Sequence, residues 1–468
     1  LDGLPLAIAT AGTFLERTAT GSEEYLRAYE TNWQEVEETT DELIEYEDRT
    51  LFTTWNLSLE QIQAQSAGAA KLFQILAYFG NEHIDYQLLV PREGLALNHL
   101  RQILETKRHF DRAMGRLHDF SLVEKNENDY RLHPCVHDWL LSKINKSLDQ
   151  DQLIYALRCV TSKDISMWST NYDEVSFRIC SHAVRLAHPV FFQQLQSLNL
   201  TEELLDDLVH LCNLFRLSDR HEEAKQLATR LLGWCQQTLG PDDLLTLTIC
   251  NLLGLAAMAL RDFITAEEML RRAMEGLAVV LGEHHQITLD PVHNLANLYV
   301  QLGCHGEAER LYLWSLRGCE QSYGWDNPNT FWAAYAIGDF YYETGNLGQA
   351  ESMYERALKG FDNAIDPDHW FPRKTAISLG HVYSLNKKPD HARLMYQRAL
   401  DGCERQLGRT HPDTAKILGN LVDLCVKCND LETIQQLSEH WGKDCLYLKP
   451  FFSPWPSRTR TKQLYQSS

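Results

Sequence analysis

No G-x-x-x-x-G-K-[ST] run occurs anywhere in the 468 residues. The amides and lysine that cradle a nucleotide's phosphates, and the hydroxyl that holds magnesium, are therefore missing, and this chain is not expected to hydrolyse ATP. A Gly-x-Ser-x-Gly elbow is also lacking, as is any recognisable Cys-His nucleophile motif, so there is no positive case for an enzyme. Positive charge is in short supply: 44 Lys plus Arg stand against 64 Asp plus Glu, a net charge of −20. With no basic stripe interleaved with aromatics, nucleic acid and anionic membrane are poor partners and basic or neutral proteins better ones. There is no signal-peptide pattern and no apolar run long enough to span a bilayer. The twelve cysteines form no disulfide framework. Cys235, Cys319 and Cys403 share one register with Leu277 and Phe361, so thiols replace core hydrophobes, as expected of reduced cysteines in a cytoplasmic protein. The first residue is Leu1 and not methionine, which fits a piece of something longer.

What the chain does have is a period. Ala224, Ala266, Ala308, Ala350 and Ala392 follow one another at 42-residue intervals, the mark of stacked repeats. Tyr312, Tyr354 and Tyr396 come four residues after the last three alanines, and Leu232, Met274, Leu316, Leu358 and Leu400 come eight after all five. Offsets of four and eight lie on one helix face, so each repeat contains a helix B with an apolar stripe. A second set of columns, Leu253, Leu295, Ile337, Leu379 and Leu421 followed four residues later by Ala257, Tyr299, Tyr341, Tyr383 and Cys425, defines a helix A. Gly254, Ala296, Gly338 and Gly380 leave room for a close neighbour, although Val422 occupies the last such place. Turn signals such as Gly303 and Thr344-Gly345-Asn346 separate A from B, and Leu239-Gly240-Pro241, Leu281-Gly282 and Leu407-Gly408 follow B, making every unit a helical hairpin. The expected fold class is predominantly all-α, a helical solenoid presenting a surface for binding.

The small residue after leucine, the tyrosine three further on and the Ala-Glu opening helix B resemble tetratricopeptide repeats (TPR). The period and the loop "LGRTHPDTAKIL" are similar to the repeats of kinesin light chain and of many fungal proteins. The resemblance covers about 203–440 and departs at Asp366 and Pro372, which replace the loop glycine and a threonine, so that junction is expected to be distorted.

Upstream, "LDGLPLAIATAGTFL" and the segments that follow resemble the end of an NB-ARC module, the nucleotide switch of STAND-class signalling ATPases, in its fungal TPR-bearing form. Gly3-Leu4-Pro5-Leu6 matches the GLPL motif, whose proline packs near adenine; the resemblance assigns that role to Pro5. Residues 51–145 resemble its winged-helix domain, with Arg112 to Asp119 as third helix and a wing hairpin around Asn126-Glu127-Asn128. Leu132-His133-Pro134 falls where the family carries Met-His-Asp, whose histidine touches the β-phosphate of ADP. By position that role passes to His133, against the alternative of a satisfied buried histidine, and Pro134 replaces the aspartate. The implied organisation is 1–48 as switch remnant, 51–145 winged helix, 146–202 helical linker, 203–440 repeats and 441–468 disordered tail. No cofactor is expected in this chain; ADP or ATP with Mg would belong to a full-length parent, which the family mechanism would have self-assemble when ligand on the repeats releases the switch. The rival reading is a kinesin-light-chain-like cargo adaptor without a switch, but the heptads that precede those repeats are absent from 1–150. Residues 16–48 are strongly acidic and read as a solvated helix face followed by a linker.

Two motifs imitate metal sites. Cys425-x-x-Cys428 with His440 and Cys445 has ligand spacing, but Cys425 occupies the tyrosine column and is explained by packing. His284-His285 diverge from each other in a loop and read as surface. The binding site is expected on the concave face of the repeats, where helix A presents polar residues with no packing duty: Asp290, Asn294, Asn297 and Gln301; Trp332, Asp339 and Glu343; Lys374, Ser378 and His381; Lys416, Asn420 and Asp423. Asparagine can bond a peptide backbone as donor and acceptor, and the mixed charges would select its side chains. The expected partner is a protein or peptide.

Overall fold

The computed structural model describes residues 5–18, 21–29, 46–91, 97–145, 149–163, 168 and 172–441. The expectations for Gly3-Leu4, for most of the acidic linker and for the tail from 442 lie outside these residues. The chain divides into two compact units, 1–269 and 270–468. Apart from one small hairpin, the elements are helical, as the periodicity requires. No helix among the described residues is long and apolar enough to cross a membrane.

The first unit opens with α1 (Pro5–Thr18) and α2 (22–29). Next come α3 (Tyr46–Gln65), α4 (Ala67–Leu76), α5 (Lys107–Asp119) and α6 (Pro134–Asn145). The helix expected over 112–119 thus begins five residues earlier, where Thr106 accepts a hydrogen bond from His109 N. Strands β1 (Glu124–Lys125) and β2 (Tyr130–Arg131) pair antiparallel across the expected 126–128 turn, and Tyr130 bridges back to Ile84. Trp55, Phe73 and Trp139, all essentially without solvent exposure, hold α3, α4 and α6 together, with the Trp55 and Trp139 rings 5.6 Å apart. Helices α7 (Gln150–Thr161), α8 (Tyr172–Leu186) and α9 (Pro189–Ser197) follow. Then come α10 (Glu202–Leu217), α11 (His221–Thr238), α12 (Leu244–Ala259) and the start of α13 (Phe263–Leu281).

The second unit takes in the rest of α13 and the hairpins α14 (Gln286–Gln301) with α15 (His305–Ser322), α16 (Pro328–Glu343) with α17 (Leu347–Ala364), α18 (Trp370–Leu385) with α19 (Pro389–Leu407), and α20 (Pro412–Cys428) with α21 (Leu431–Trp441). Ala308, Ala350 and Ala392 are wholly buried, as are the column residues Leu295, Ile337, Leu379 and Leu421 to within 2%. The small-residue column works as expected: a Cβ on Gly338 would lie 2.8 Å from the Tyr354 ring, and one on Gly380 2.7 Å from that of Tyr396.

Both turns of each hairpin repeat with the same period. Between A and B stand Asp219, Arg261, Gly303, Gly345, Lys387 and Asn429, all at positive φ, the left-handed residue that closes a helix C-terminus. The amide after each bonds back to the fifth residue before it, as Cys304 N does to Tyr299 O and Lys388 N to Tyr383 O, both at 2.8 Å. Before each helix A stands an N-cap: Asp243, His285, Asn327, His369 and His411 accept hydrogen bonds from the amide two residues on, satisfying a donor that the helix leaves open. His285 is thus a cap and not merely a surface residue. Thr246, Thr288, Thr330 and Thr414 donate to the carbonyls of Gly240, Gly282, Gly324 and Gly408. At the departing junction Pro372 cannot do this; Asp366 accepts from Asp368 N instead, and Thr375 donates to Phe371 O within its own helix. That junction is rebuilt as a different turn.

Candidate functional site

In the second unit, α14, α16, α18 and α20 carry the thirteen nominated residues at four repeat positions. The first is Asp290, Trp332, Lys374 and Lys416. His293 and Trp332 bring α14 against α16, with rings 4.2 Å apart. Lys374 Nζ sits 5.3 Å over the Tyr335 ring of α16 and 4.6 Å over that of Trp370. His381 Nε2 lies 3.2 Å from Asn420 Nδ2, joining α18 to α20. The row is therefore one connected face in which aromatic rings alternate with charges. Gln301, Glu343, Lys416 and Asp423 are exposed on it, whereas Asn294 and Ser378 are half-buried.

Besides Trp332, Lys374 and Asn420, which contact the neighbouring helix A, three nominated residues pack against helix B, contrary to expectation. Asn297 Oδ1 accepts from the Tyr312 hydroxyl. Asp339 Oδ1 accepts from the Tyr354 hydroxyl. His381 packs edge-on against Tyr396, 5.5 Å away. The tyrosine column of helix B thus reaches across its hairpin to one column of helix A, because a buried hydroxyl needs a partner. Burial outweighs these bonds at Asp339 and raises its carboxyl above the usual range, while Tyr354, Tyr335 and Lys374 favour the ionised form. Two further residues of the face, His293 and Tyr335, were not nominated. They stand three positions after Asp290 and Trp332, where the repeats carry His, Tyr, Ile and Gly, and that lack of a uniform core residue was the available signal.

Charges on the helix B side are paired between successive hairpins: Glu320 with Arg356 at 2.7 Å, Asp362 with Arg398, and Glu404 with His440 at 3.1 Å. Lys388 pairs with Glu351 at 2.5 Å and Arg393 with Asp430 at 2.8 Å. On the helix A face, Asp290, Glu343, Lys374 and Lys416 make no ion pair among the described residues. Asp290 is open to solvent yet walled by protein, and the lost hydration pushes its carboxyl up to about 6. Neighbouring His293, 5% exposed, is pushed down to about 4 by burial, so at neutral pH it is uncharged and cannot balance Asp290.

In the first unit Pro5 is the first residue of α1. His133 is exposed, and its Nδ1 accepts from Cys135 N at the start of α6. It is not the buried histidine of the alternative reading; that description fits His137, whose Nε2 donates to Phe79 O at 2.9 Å. A cavity of about 300 Å³ lined by His83, Asp85, Lys163, Arg178 and His182 has Arg178 paired with Asp85 at 2.8 Å and His83 with Asp129 at 2.9 Å, while Lys163 donates to the carbonyls of Gln87 and Val90. Among the described residues no cluster of His, Cys, Asp and Glu could hold a metal ion. Cys425 is buried in its column and Cys428 exposed, and His440 bonds Glu404.

Two tetratricopeptide-repeat family profiles match, one at residues 208–278, 247–318 and 288–363 and the other at 374–413. The chain carries tetratricopeptide repeats, which are protein-interaction repeats. Among solved structures it is similar to BtubC (BKLC) from P. vanneervenii, at 23% identity over 53% of this chain and 95% of that one, with a TM-score of 0.40. It is also similar to a putative kinesin light chain with nearly identical TPR-like repeats from Podosopora anserina, at 18% identity over 45% of this chain and 99% of that one, TM-score 0.40. A STAND protein with a tetratricopeptide repeat sensor from Pyrococcus horikoshii matches at 15% identity over 93% of this chain and 66% of that one, TM-score 0.42. No curated protein sequence matches the chain.

Proposed function

We propose that this chain is the ligand-recognition region of a STAND-type signalling ATPase. In this reading 203–440 bind a protein or peptide on the helix A face, 146–202 couple them to a winged helix at 51–145, and 1–48 close a switch whose phosphate-binding part lies elsewhere. Pro5 and His133 would be this chain's share of an ADP site. The GLPL and Leu-His-Pro sequences support the switch, and the lack of preceding heptads in 1–150 sets the kinesin-light-chain-like adaptor behind as the second reading. One observation carries the binding role: five ion pairs link successive hairpins on the helix B side, whereas Asp290, Glu343, Lys374 and Lys416 of the helix A face make no ion pair among the described residues. Charges without an ion pair inside the molecule are available to a ligand.

Selection from a random dodecapeptide phage library tests this. The chain is expected to enrich peptides that a triple variant, Asp290→Ala, Glu343→Ala and Lys416→Ala, does not retain. All three positions are exposed, so the variant should melt no lower than the parent. Equal enrichment by the folded variant would move the site off this face.

A further inference from the structure

The four positions of the first column are not equivalent. Asp290 on α14 is an acid, Trp332 on α16 an aromatic, and Lys374 on α18 and Lys416 on α20 are bases. Asp290 acts on the neutral Cys319 of α15 and Tyr323 at its end, and three residues further along α14 the buried His293 stacks on the half-buried Trp332. A carboxylate without an ion pair, one helical turn from an aromatic ring, suits a cation that carries N–H donors. Two helices away the ammonium of Lys374 is steadied by the rings of Tyr335 and Trp370 but has no carboxylate within ion-pair distance among the described residues. Asp339 feels its charge from beyond ion-pair distance, so the ammonium can still take a direct carboxylate partner.

Resting on the reading of this face as a peptide-binding row, we infer that it selects an extended segment that places a Lys or Arg against Asp290 and an Asp or Glu against Lys374. Packed helices lie about 10 Å apart, so two steps separate these sites by roughly 20 Å. At about 3.3 Å per residue, the two charges of the ligand stand roughly six residues apart. Reversing the segment would set like charges face to face, which fixes its direction.

The same dodecapeptide selection distinguishes this from the broader reading. The parent chain is expected to enrich peptides with a basic and an acidic residue roughly six apart, in one order. Asp290→Ala should lose the basic preference, keep the acidic one and weaken an enriched peptide about tenfold. Asp290→Lys with Lys374→Glu should enrich the reversed order; the single alanine variant carries the test if this double variant folds poorly. Enriched peptides with no charge spacing, or with an order that the swap leaves unchanged, overturn the inference while peptide binding stands. Enrichment no better than that of the triple alanine variant overturns both.

Discussion

Replacing Asn297 by alanine tests the link between helix A and helix B directly. Its Oδ1 is the acceptor for the Tyr312 hydroxyl, and Tyr312 is only 5% exposed, so water has little access to take over. Stranding a buried donor costs about 1–3 kcal/mol. Tyr312→Phe removes the donor instead; Asn297 is half-exposed and can turn to solvent, so the cost falls to about 0.5–1.5 kcal/mol. With phenylalanine in place the asparagine has nothing left to satisfy, and the double variant should be less destabilised than the sum by about 1 kcal/mol. Asn297→Asp should be nearly neutral, because Asp339 already serves Tyr354 in that way one repeat later. Urea unfolding followed by helical circular dichroism measures all four. If Asn297→Ala costs as much in the phenylalanine background as in the parent, the hydroxyl contact is not what holds the hairpin, and the account of this column fails.

Ile337, with no exposed surface in the middle of the helix A column, should cost about 2–5 kcal/mol when cut to alanine, and because solenoid stability is a sum over neighbours the unfolding curve should broaden or split; an unchanged curve would contradict the repeat register. Asp290→Asn should raise the melting temperature at pH 7.5 and leave it unchanged at pH 4. The folded carboxyl is raised to about 6, so the native state binds the proton more tightly than the unfolded one, is favoured below the unfolded value near ~3.9 and loses that advantage as pH rises to about 6; an equal gain at both pH values would refute this. Isothermal titration with ADP should give at best weak binding, since only Pro5 and His133 of the resembled contact set are present; submicromolar affinity would place the nucleotide site elsewhere.

The hairpins were legible in the sequence because alanine, leucine and tyrosine at helical offsets can mean little but a buried stripe. The turn glycines were legible for the same reason. The rest of the turn was not. Arg261 and Lys387 adopt positive φ although neither residue type favours it, so only the 42-residue spacing from Gly303 and Gly345 could have revealed them. The caps were hidden by chemistry that changes from repeat to repeat: Asp243, His285 and Asn327 share no charge or shape, only a side-chain acceptor at the right distance from the amide two residues on. Register proposes the residues of the helix A face, but it does not reveal that Asn297 and Asp339 serve tyrosine hydroxyls. Their partners lie fifteen residues later on helix B, and whether a tyrosine hydroxyl reaches that far depends on how closely the helices approach, which Gly338 and Ala296 permit but no pattern measures.

The pairs on helix B explain how such similar hairpins keep their order. Glu351 meets Lys388 of the following repeat, and Arg393 meets Asp430. The sign of the charge reverses between these two steps. A hairpin docked one repeat out of place would set Glu351 against Asp430, like against like. Half-exposed pairs of this kind are individually worth only about 0.2–1 kcal/mol, too little to account for the fold, which the buried alanine, leucine and tyrosine columns sustain. Their use is in discrimination, where repulsion in the wrong arrangement adds to attraction lost from the right one. At these two steps the correct docking is favoured over the shifted one. The column from Asp290 to Lys416 makes no ion pair of this kind among the described residues, and there the side chain changes in character from acid to aromatic to base, with Trp332 and Lys374 resting on rings of the preceding helix A.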